Sequence, residues 1–474
     1  MGNRKLKRWR KWLKRILALL LGVILFAEAG VVQAQGDQAA ENGAIVEQSD
    51  AEAERLFREG VQLHKQGSEE SLKLAVDVFQ QAQELFKNAE NPGLEALSLF
   101  MIGIVYYDLG AWQEALDYYN RVLPLFHAMN EQSLEAFTLN SIGSIYSNLG
   151  NKYQALSYYG RALPLSRAES FLEALILGNI GNIYTELGDK QNALESLNEA
   201  LSLIPDISDN GIKAAIFNNV AALYISLGDK QNALNYFDQA LASIRATGNR
   251  RREAATLNNI GMVYNDLGDS ERALDYYYEA LSLRRATGDQ GGEAITLNNI
   301  GSVYGSLRNN EQALNYFNQA LRLHRIMNNQ NEEARTLNNI GAVYSDLKDN
   351  QQSLTYYNQA LRMFQALDDR DGEAAALTGI GDIYIELGDG QKALDHLNRS
   401  LSLRRAVSNR AGEAITLNSI GIIYYYLDKL MQHSNTSTQL SRFLKIFALK
   451  SAVKTFALRI LLQCKIHTNS KPTC

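Results

Sequence analysis

Between residues 94 and 427 the apolar positions fall into two alternating registers, and both are helical. In TLNNIGMVYNDLGD, Leu257, Ile260, Gly261 and Tyr264 stand at i, i+3, i+4 and i+7, one stripe on a helix. Leu267-Gly268-Asp269 then ends the pattern, with glycine suited to a left-handed C-terminal position. A second register follows, with Ala273, Tyr277 and Ala280 at i, i+4 and i+7. Its small residues let helices approach closely, and its aromatic fills the gap between layers. Further triplets of this kind are Ala155, Tyr159, Ala162 and Ala313, Phe317, Ala320. A charged loop such as Ala286-Thr287-Gly288-Asp289 leads onward. The reading is helix, turn, helix, loop, with no strands.

The pattern recurs at a fixed interval. Small residues equivalent to Gly261 stand at Gly103, Gly143, Gly181, Ala221, Gly301, Gly341, Gly381 and Gly421, 40 residues apart except for one step of 38. A tyrosine follows each of the nine by three positions, from Tyr106 to Tyr424. The glycine stop recurs at Gly110, Gly150, Gly188, Gly228 and Gly388, whereas Arg308, Lys348 and Asp428 replace it, which predicts a different turn or strain there. One helix pair cannot bury both stripes, but stacked pairs can. The expected fold is all-α, a right-handed superhelical solenoid. Eight units span 94–412 (94–133, 134–171, 172–211, 212–252, 253–292, 293–332, 333–372, 373–412). An incomplete ninth covers 413–428, and an irregular helical pair at 50–93 caps the N-terminal end.

The order Leu, two residues, Ile-Gly, two residues, Tyr, then Ala, an aromatic and Ala, resembles the tetratricopeptide repeat (TPR). The standard unit has about 34 residues. The longer unit with its Leu-Asn-Asn-Ile-Gly core is similar to those of kinesin light chains and the Leu-Gly-Asn polarity adaptors. The Arg-Arg-Ala-x-Gly-Asp-x-x-x-Glu-Ala linker is similar to bacterial arrays, many of them fused to caspase-like (CHAT) domains. The resemblance covers residues 94–427 and implies a protein-binding solenoid, while leaving the partner open.

On the first helix of each unit, positions −6, −3, +1, +4 and +5 from the marker glycine share an arc away from the core stripe. The resemblance implies that this arc lines a concave groove. Position −3 carries Asn140, Asn218, Asn258, Asn298, Asn338 and Asn418, and position −2 carries Asn179, Asn219, Asn259, Asn299 and Asn339. An amide both donates and accepts, so a row of them suits the backbone of an extended peptide. Family members hold peptides with groove asparagines, as the resemblance implies. Cross-linking of adjacent helices is the competing role, strongest for −2. Position +5 carries Asp108, Glu186, Asp266, Asp346 and Glu386, which favours a basic partner, with solvated charge as the alternative. Arg335 is the exceptional cation on this face. The tyrosines three positions after the marker are expected in the core. Those at Tyr118, Tyr158, Tyr236 and Tyr276 are expected to be more exposed.

Charge is segregated. Net charge is −5 overall, but residues 1–34 hold eight basic side chains and one acid, and 429–474 hold eight basic and none acidic. The body between them is therefore strongly acidic and should repel nucleic acid. Both cysteines, Cys464 and Cys474, lie in the tail, and the histidines lack ligand spacing. No catalytic constellation or phosphate loop is visible. The chain reads as non-enzymatic, with no catalytic, metal or cofactor site and no cofactor.

Basic residues from Arg4 to Arg15, an apolar run from Ile16 to Ala27 and Val32-Gln33-Ala34 have the three-part form of a secretory signal, so 1–34 predicts export to the periplasm or outside. An uncleaved anchor over 16–32 is the rival. Residues 35–49 read as a flexible lead-in. The basic, apolar tail 429–474 has three readings: a cap, a membrane-seeking helix, or an out-of-frame remnant. Membrane contact is expected only through the N-terminal segment or this tail. The expected function is a scaffold that binds an extended peptide or protein segment. The alternatives are a truncated sensory arm of a larger caspase-like effector system, or a self-assembling repeat protein.

Overall fold

The computed structural model describes residues 41–433, with side chains described for 51–426. The segment 1–34 expected to direct export and the basic run 440–465 lie outside the described residues. Nineteen α-helices occur among the described residues, and no strand. They are α1 (Glu41–Gln66), α2 (Glu69–Asn88), α3 (Pro92–Asp108), α4 (Trp112–Ala128), α5 (Gln132–Asn148), α6 (Lys152–Ser166), α7 (Ser170–Leu187), α8 (Lys190–Ser202), α9 (Asn210–Leu227) and α10 (Lys230–Thr247). Then follow α11 (Arg250–Asp266), α12 (Ser270–Ala286), α13 (Gln290–Ser306), α14 (Asn310–Ile326), α15 (Gln330–Asp346), α16 (Asn350–Ala366), α17 (Arg370–Glu386), α18 (Gly390–Ala406) and α19 (Arg410–His433). A short 3-10 turn, Ile204–Asp206, follows α8 and contains Pro205, which cuts that helix short. The chain divides into two compact units, residues 1–269 and 270–474. Within each, consecutive helices pack as antiparallel pairs and stack as a solenoid.

Most of these helices have 17 residues, about 25 Å at 1.5 Å per residue. Their starts are set by Asp or Asn caps. Asp229, Asp349, Asp369 and Asp389 each accept the backbone N–H three residues on. Their ends are set by one left-handed residue. Gly228 has φ +80° and Gly388 +76°. Arg308 and Lys348 adopt the same turn with φ +58° and +61°, so the missing glycine brings strain rather than a different turn.

The marker glycines are floors for bulky side chains of the second helix. A Cβ at Gly143 would lie 2.7 Å from the Tyr159 ring, at Gly301 2.8 Å from Phe317 and at Gly181 2.5 Å from Leu197. A second seat joins successive repeats: a Cβ at Gly372 would lie 2.3 Å from Phe364. These seats bury the predicted stripes, with Leu257, Ile260, Ala273, Tyr277 and Ala280 all at most 2% exposed.

Three expectations change. First, α1 begins at Glu41, inside the stretch 35–49 expected to be a flexible lead-in. Its Ala, Glu and Gln favour helix, and the packed turns from Ala53 onward propagate back through them. Second, the pair α1–α2, expected to be irregular, shares the packing device of the repeats. A Cβ at Gly60 would lie 2.7 Å from Phe79, the same floor and knob, but 19 residues apart instead of the 16 between Gly143 and Tyr159. Third, the tyrosines three positions after the marker are not fully buried. They lie half-buried, and several stack face to face on a tyrosine of the second helix, as Tyr146 does on Tyr158 at 5.3 Å and Tyr344 on Tyr356 at 5.4 Å between centroids, whereas Tyr384 stacks on His396.

Candidate functional site: the first-helix face

The first-helix face differs from repeat to repeat within each unit. In the first unit its early rungs are closed, with Ile104 buried and Phe137 and Leu175 half-buried. It opens at Met262, and in the second unit at Ile295, Ser302, Arg335 and Ala342. These stand at −6 and +1. Sequence periodicity singled out the amides and acids on this face but gave no weight to these apolar and small positions. Their exposure was the signal missed: Ile295, a large apolar side chain, is 44% exposed.

Several asparagines take the competing role, cross-linking adjacent first helices. Asn140 and Asn258 are buried, at 6% and 4% exposure, and are not presented to a ligand. Asn218, Asn298 and Asn338 are half-buried, and Asn418 is exposed. Within each unit, −2 and −3 residues meet across the seam between adjacent first helices. Asn179 Nδ2 donates to Asn140 Oδ1 at 2.9 Å, and Asn339 Nδ2 to Asn298 Oδ1 at 3.3 Å. Asn219 Nδ2 donates to the Gly178 carbonyl at 3.0 Å, and Thr256 Oγ1 to Asn218 Oδ1 at 3.3 Å. A helical side chain leans toward its N-terminus, which carries the −3 amide into the seam rather than out over the face.

The acids at +5 are exposed, but three already have partners. Asp108 Oδ2 lies 2.6 Å from His64 Nε2. Lys152 Nζ lies 3.1 Å from Glu186 Oε2, and Lys348 Nζ 2.7 Å from Glu386 Oε1. Lys230 reaches the backbone carbonyl of Asp266 rather than its carboxylate. Asp346 has no side-chain partner among the described residues. The lysines sit 34 to 38 residues before the acids they meet, so only stacking brings them together. Arg335 is likewise taken, its guanidinium 3.2 Å from Asp369 Oδ2. Two acids that the sequence did not mark also belong to this region. Burial raises the pKa of Asp382, at +1 on α17, against a hydrogen bond from Ser419. Burial raises that of Asp209 despite the N–H groups of Ile212 and Gly211.

The sequence profile of the tetratricopeptide repeat matches residues 67–127, 134–206, 212–286, 252–326, 332–406 and 373–430. The chain belongs to the tetratricopeptide repeat family. No curated protein matches its sequence. Among solved structures it is similar to a signal-transduction ATPase with numerous domains (STAND) that carries a tetratricopeptide repeat sensor, from Pyrococcus horikoshii. That match has 18% identity and a TM-score of 0.57, and covers 78% of this chain and 55% of that one. This chain therefore spans about half the length of that protein. It is also similar to a Rap protein complexed with competence and sporulation factor, at 14% identity and a TM-score of 0.53, covering 77% of this chain and 99% of that one. At these identities the likeness is one of fold.

The tetratricopeptide repeat is a fold that is generally non-catalytic. Among the described residues no group of three His, Cys, Asp or Glu side chains is placed to hold a metal ion. No described helix is long and apolar enough to cross a membrane.

Proposed function

We propose that this TPR protein binds an extended peptide or protein segment along the first-helix face of its repeats, without catalysis. One observation carries the reading. Positions −6 and +1 are open at Ile295, Ser302 and Ala342, beside the half-buried amides of Asn298 and Asn338, while the flanking stripes of the same helices are closed. Apolar contact with intermittent amide edges suits a chain whose N–H and C=O groups need partners. Asn298, Asn338 and Asn418, all in the second unit, are the amides proposed to contact it, with Asn218 the corresponding amide of the first unit. The free carboxylates of Asp266 and Asp346 favour Lys or Arg in it, and Glu186, Glu386 and Asp108 would have to exchange partners. Exposed ion pairs contribute at most about 1 kcal/mol, so exchange costs little.

The test is capture of partners by the wild type and by Ile295→Asp/Ala342→Asp. Both sites are exposed, so folding is spared. Loss of the captured set supports the reading; an unchanged set rejects it. The triple change Asn258→Ala/Asn298→Ala/Asn338→Ala is less clean, because it also opens the seams.

We propose further that residues 1–34 direct export. The signature of Arg4–Arg15, the apolar run from Ile16 and Val32-Gln33-Ala34 supports this. A mature N-terminus at Gln35 by mass spectrometry is the expected result, and an intact Met1 on membrane-bound protein would favour the anchor. A second reading, a sensory arm of a larger effector, draws on the STAND protein, whose repeats are described as a sensor.

A further inference from the structure

The stacked aromatic pairs lie near the turn between the two helices of their repeats, apart from the first-helix asparagines. In at least three repeats the chain lays one of its own cations on such a stack, the last of them Tyr384 on His396. The Arg121 guanidinium sits 4.9 Å from the centroid of Tyr118, Arg161 5.3 Å from Tyr158, and the Lys392 ammonium 5.1 Å from Tyr384. These cations come from two positions, 18 and 11 residues after the marker glycine. In the repeats of Gly301 and Gly341 both positions are glutamine: Gln312, Gln319, Gln352 and Gln359. The rings there keep the same stack, Tyr304 on Tyr316 at 5.6 Å and 1°, Tyr344 on Tyr356 at 5.4 Å and 7°. Among the described residues no cation lies over either pair.

We propose that these two consecutive pairs are docking points for arginine side chains of a partner protein. A ring face that receives a guanidinium from within the chain in one repeat has the geometry to receive one from outside in another. Electron-rich faces attract cations, and arginine adds planar stacking that lysine lacks. The surroundings suit a cation. Asp349 lies close enough to Tyr344 to help hold its phenol proton on, after burial and Tyr356. At the other pair a third ring closes in: Tyr278, exposed, lies 6.4 Å from Tyr316 and tilted by 56°. Its hydroxyl is 2.8 Å from that of Tyr304 and 3.1 Å from that of Tyr316, which gathers three acceptor oxygens beside the rings. Such a site does not depend on the first-helix face.

The experiment titrates a short Arg–Gly repeat peptide onto the full chain, with Lys–Gly and citrulline–Gly peptides alongside. One exposed cation–π contact contributes about 0.5–1 kcal/mol, so Tyr356→Leu should weaken the Arg–Gly peptide about two- to fivefold. The sharper variant is Gln359→Arg, which reproduces the Arg161–Tyr158 arrangement and fills the seat from within. It should weaken the peptide by a similar factor. Gln351→Arg adds the same charge to an exposed position on the same helix and should have a much smaller effect. The expected peptide order is Arg above Lys above citrulline. Equal weakening by Gln359→Arg and Gln351→Arg overturns the proposal and leaves only general attraction to an acidic surface. So does an Arg–Gly peptide that does not bind the wild type, or binding unchanged by Tyr356→Leu.

Discussion

Helix α15 has a seam on each side, and the two are built from different chemistry. Toward α13 the seam is polar: Asn298 Oδ1 accepts from Asn339 Nδ2 at 3.3 Å and from Thr336 Oγ1 at 3.4 Å. Toward α17 the equivalent acceptor, Asn338 Oδ1, is buried with no partner, because Ala376 and Gly379 stand where Thr and Asn would donate. The apolar side has a compensation. A Cβ at Gly379 would lie 2.4 Å from the Tyr357 ring, so the missing amide is the room that Tyr357 occupies. The seats between repeats differ in the same way. Phe364 fills one over Gly372, whereas His324 fills the other, 1% exposed with neither ring nitrogen partnered. One backbone geometry thus tolerates amide stitching or ring packing, but a mixture leaves polar atoms stranded.

The sharpest way to break the apolar side is Gly372→Ala. The new Cβ would lie 2.3 Å from a buried ring, in a second helix with little space to retreat. Overpacking of this kind costs about 1–3 kcal/mol, only part of it offset by the better helix propensity of Ala. Thermal unfolding should shift down by several degrees. Gly305→Ala, which meets nothing within 4 Å, should not destabilise.

His324 tests the polar side. Burial lowers its pKa, while Glu332 and Glu333 oppose the shift. The folded state therefore binds a proton less readily than the unfolded chain. Stability is fully present above the unfolded value of about 6.5 and is lost as pH falls toward the depressed folded value. His396, also lowered by burial, acts in the same sense. His324→Leu should stabilise by about 1–2 kcal/mol, because two unpartnered polar atoms leave the interior. It should also flatten the decline in unfolding midpoint between neutral and mildly acidic pH. An unchanged pH profile would mean that His324 is hydrated.

The two asparagines should respond in opposite directions. Asn298→Leu strands Asn339 Nδ2 and should cost about 1 kcal/mol. Asn338→Leu removes an acceptor that nothing satisfies, and should be neutral or stabilising by up to about 1 kcal/mol. Equal losses at both sites, by urea titration, would show that the seams are equivalent after all.

The 40-residue period made the fold legible, because floors, knobs and stops are each set by one residue type at a fixed spacing. The pair α1–α2 was read only as an irregular cap, since its floor and knob are three residues further apart and Leu63 replaces the tyrosine. The face was less legible than the fold. Whether −3 or −2 looks outward depends on how each helix is rotated in its stack, which turned Asn140 and Asn258 inward. The acids suffered likewise, because Lys152 and Lys348 meet them only across repeats. Sequence shows what a repeat carries more readily than what the next repeat does to it.

The smallest effect belongs to the turns, where the two sides of α15 are alike in strain. Arg308 ends the neighbouring first helix α13 and Lys348 ends α15, each left-handed without being glycine. A side chain there costs about 1–2 kcal/mol, while glycine returns part of that through the unfolded chain. Arg308→Gly should therefore stabilise by about 0.5–1 kcal/mol. Lys348→Gly should gain less, because it also gives up the 2.7 Å ion pair with Glu386. The order of the two gains, measured by chemical unfolding, reads the value of that ion pair directly. If Lys348→Gly gained as much as Arg308→Gly, the pair would contribute nothing to stability, and Glu386 would be free for a basic partner at no cost.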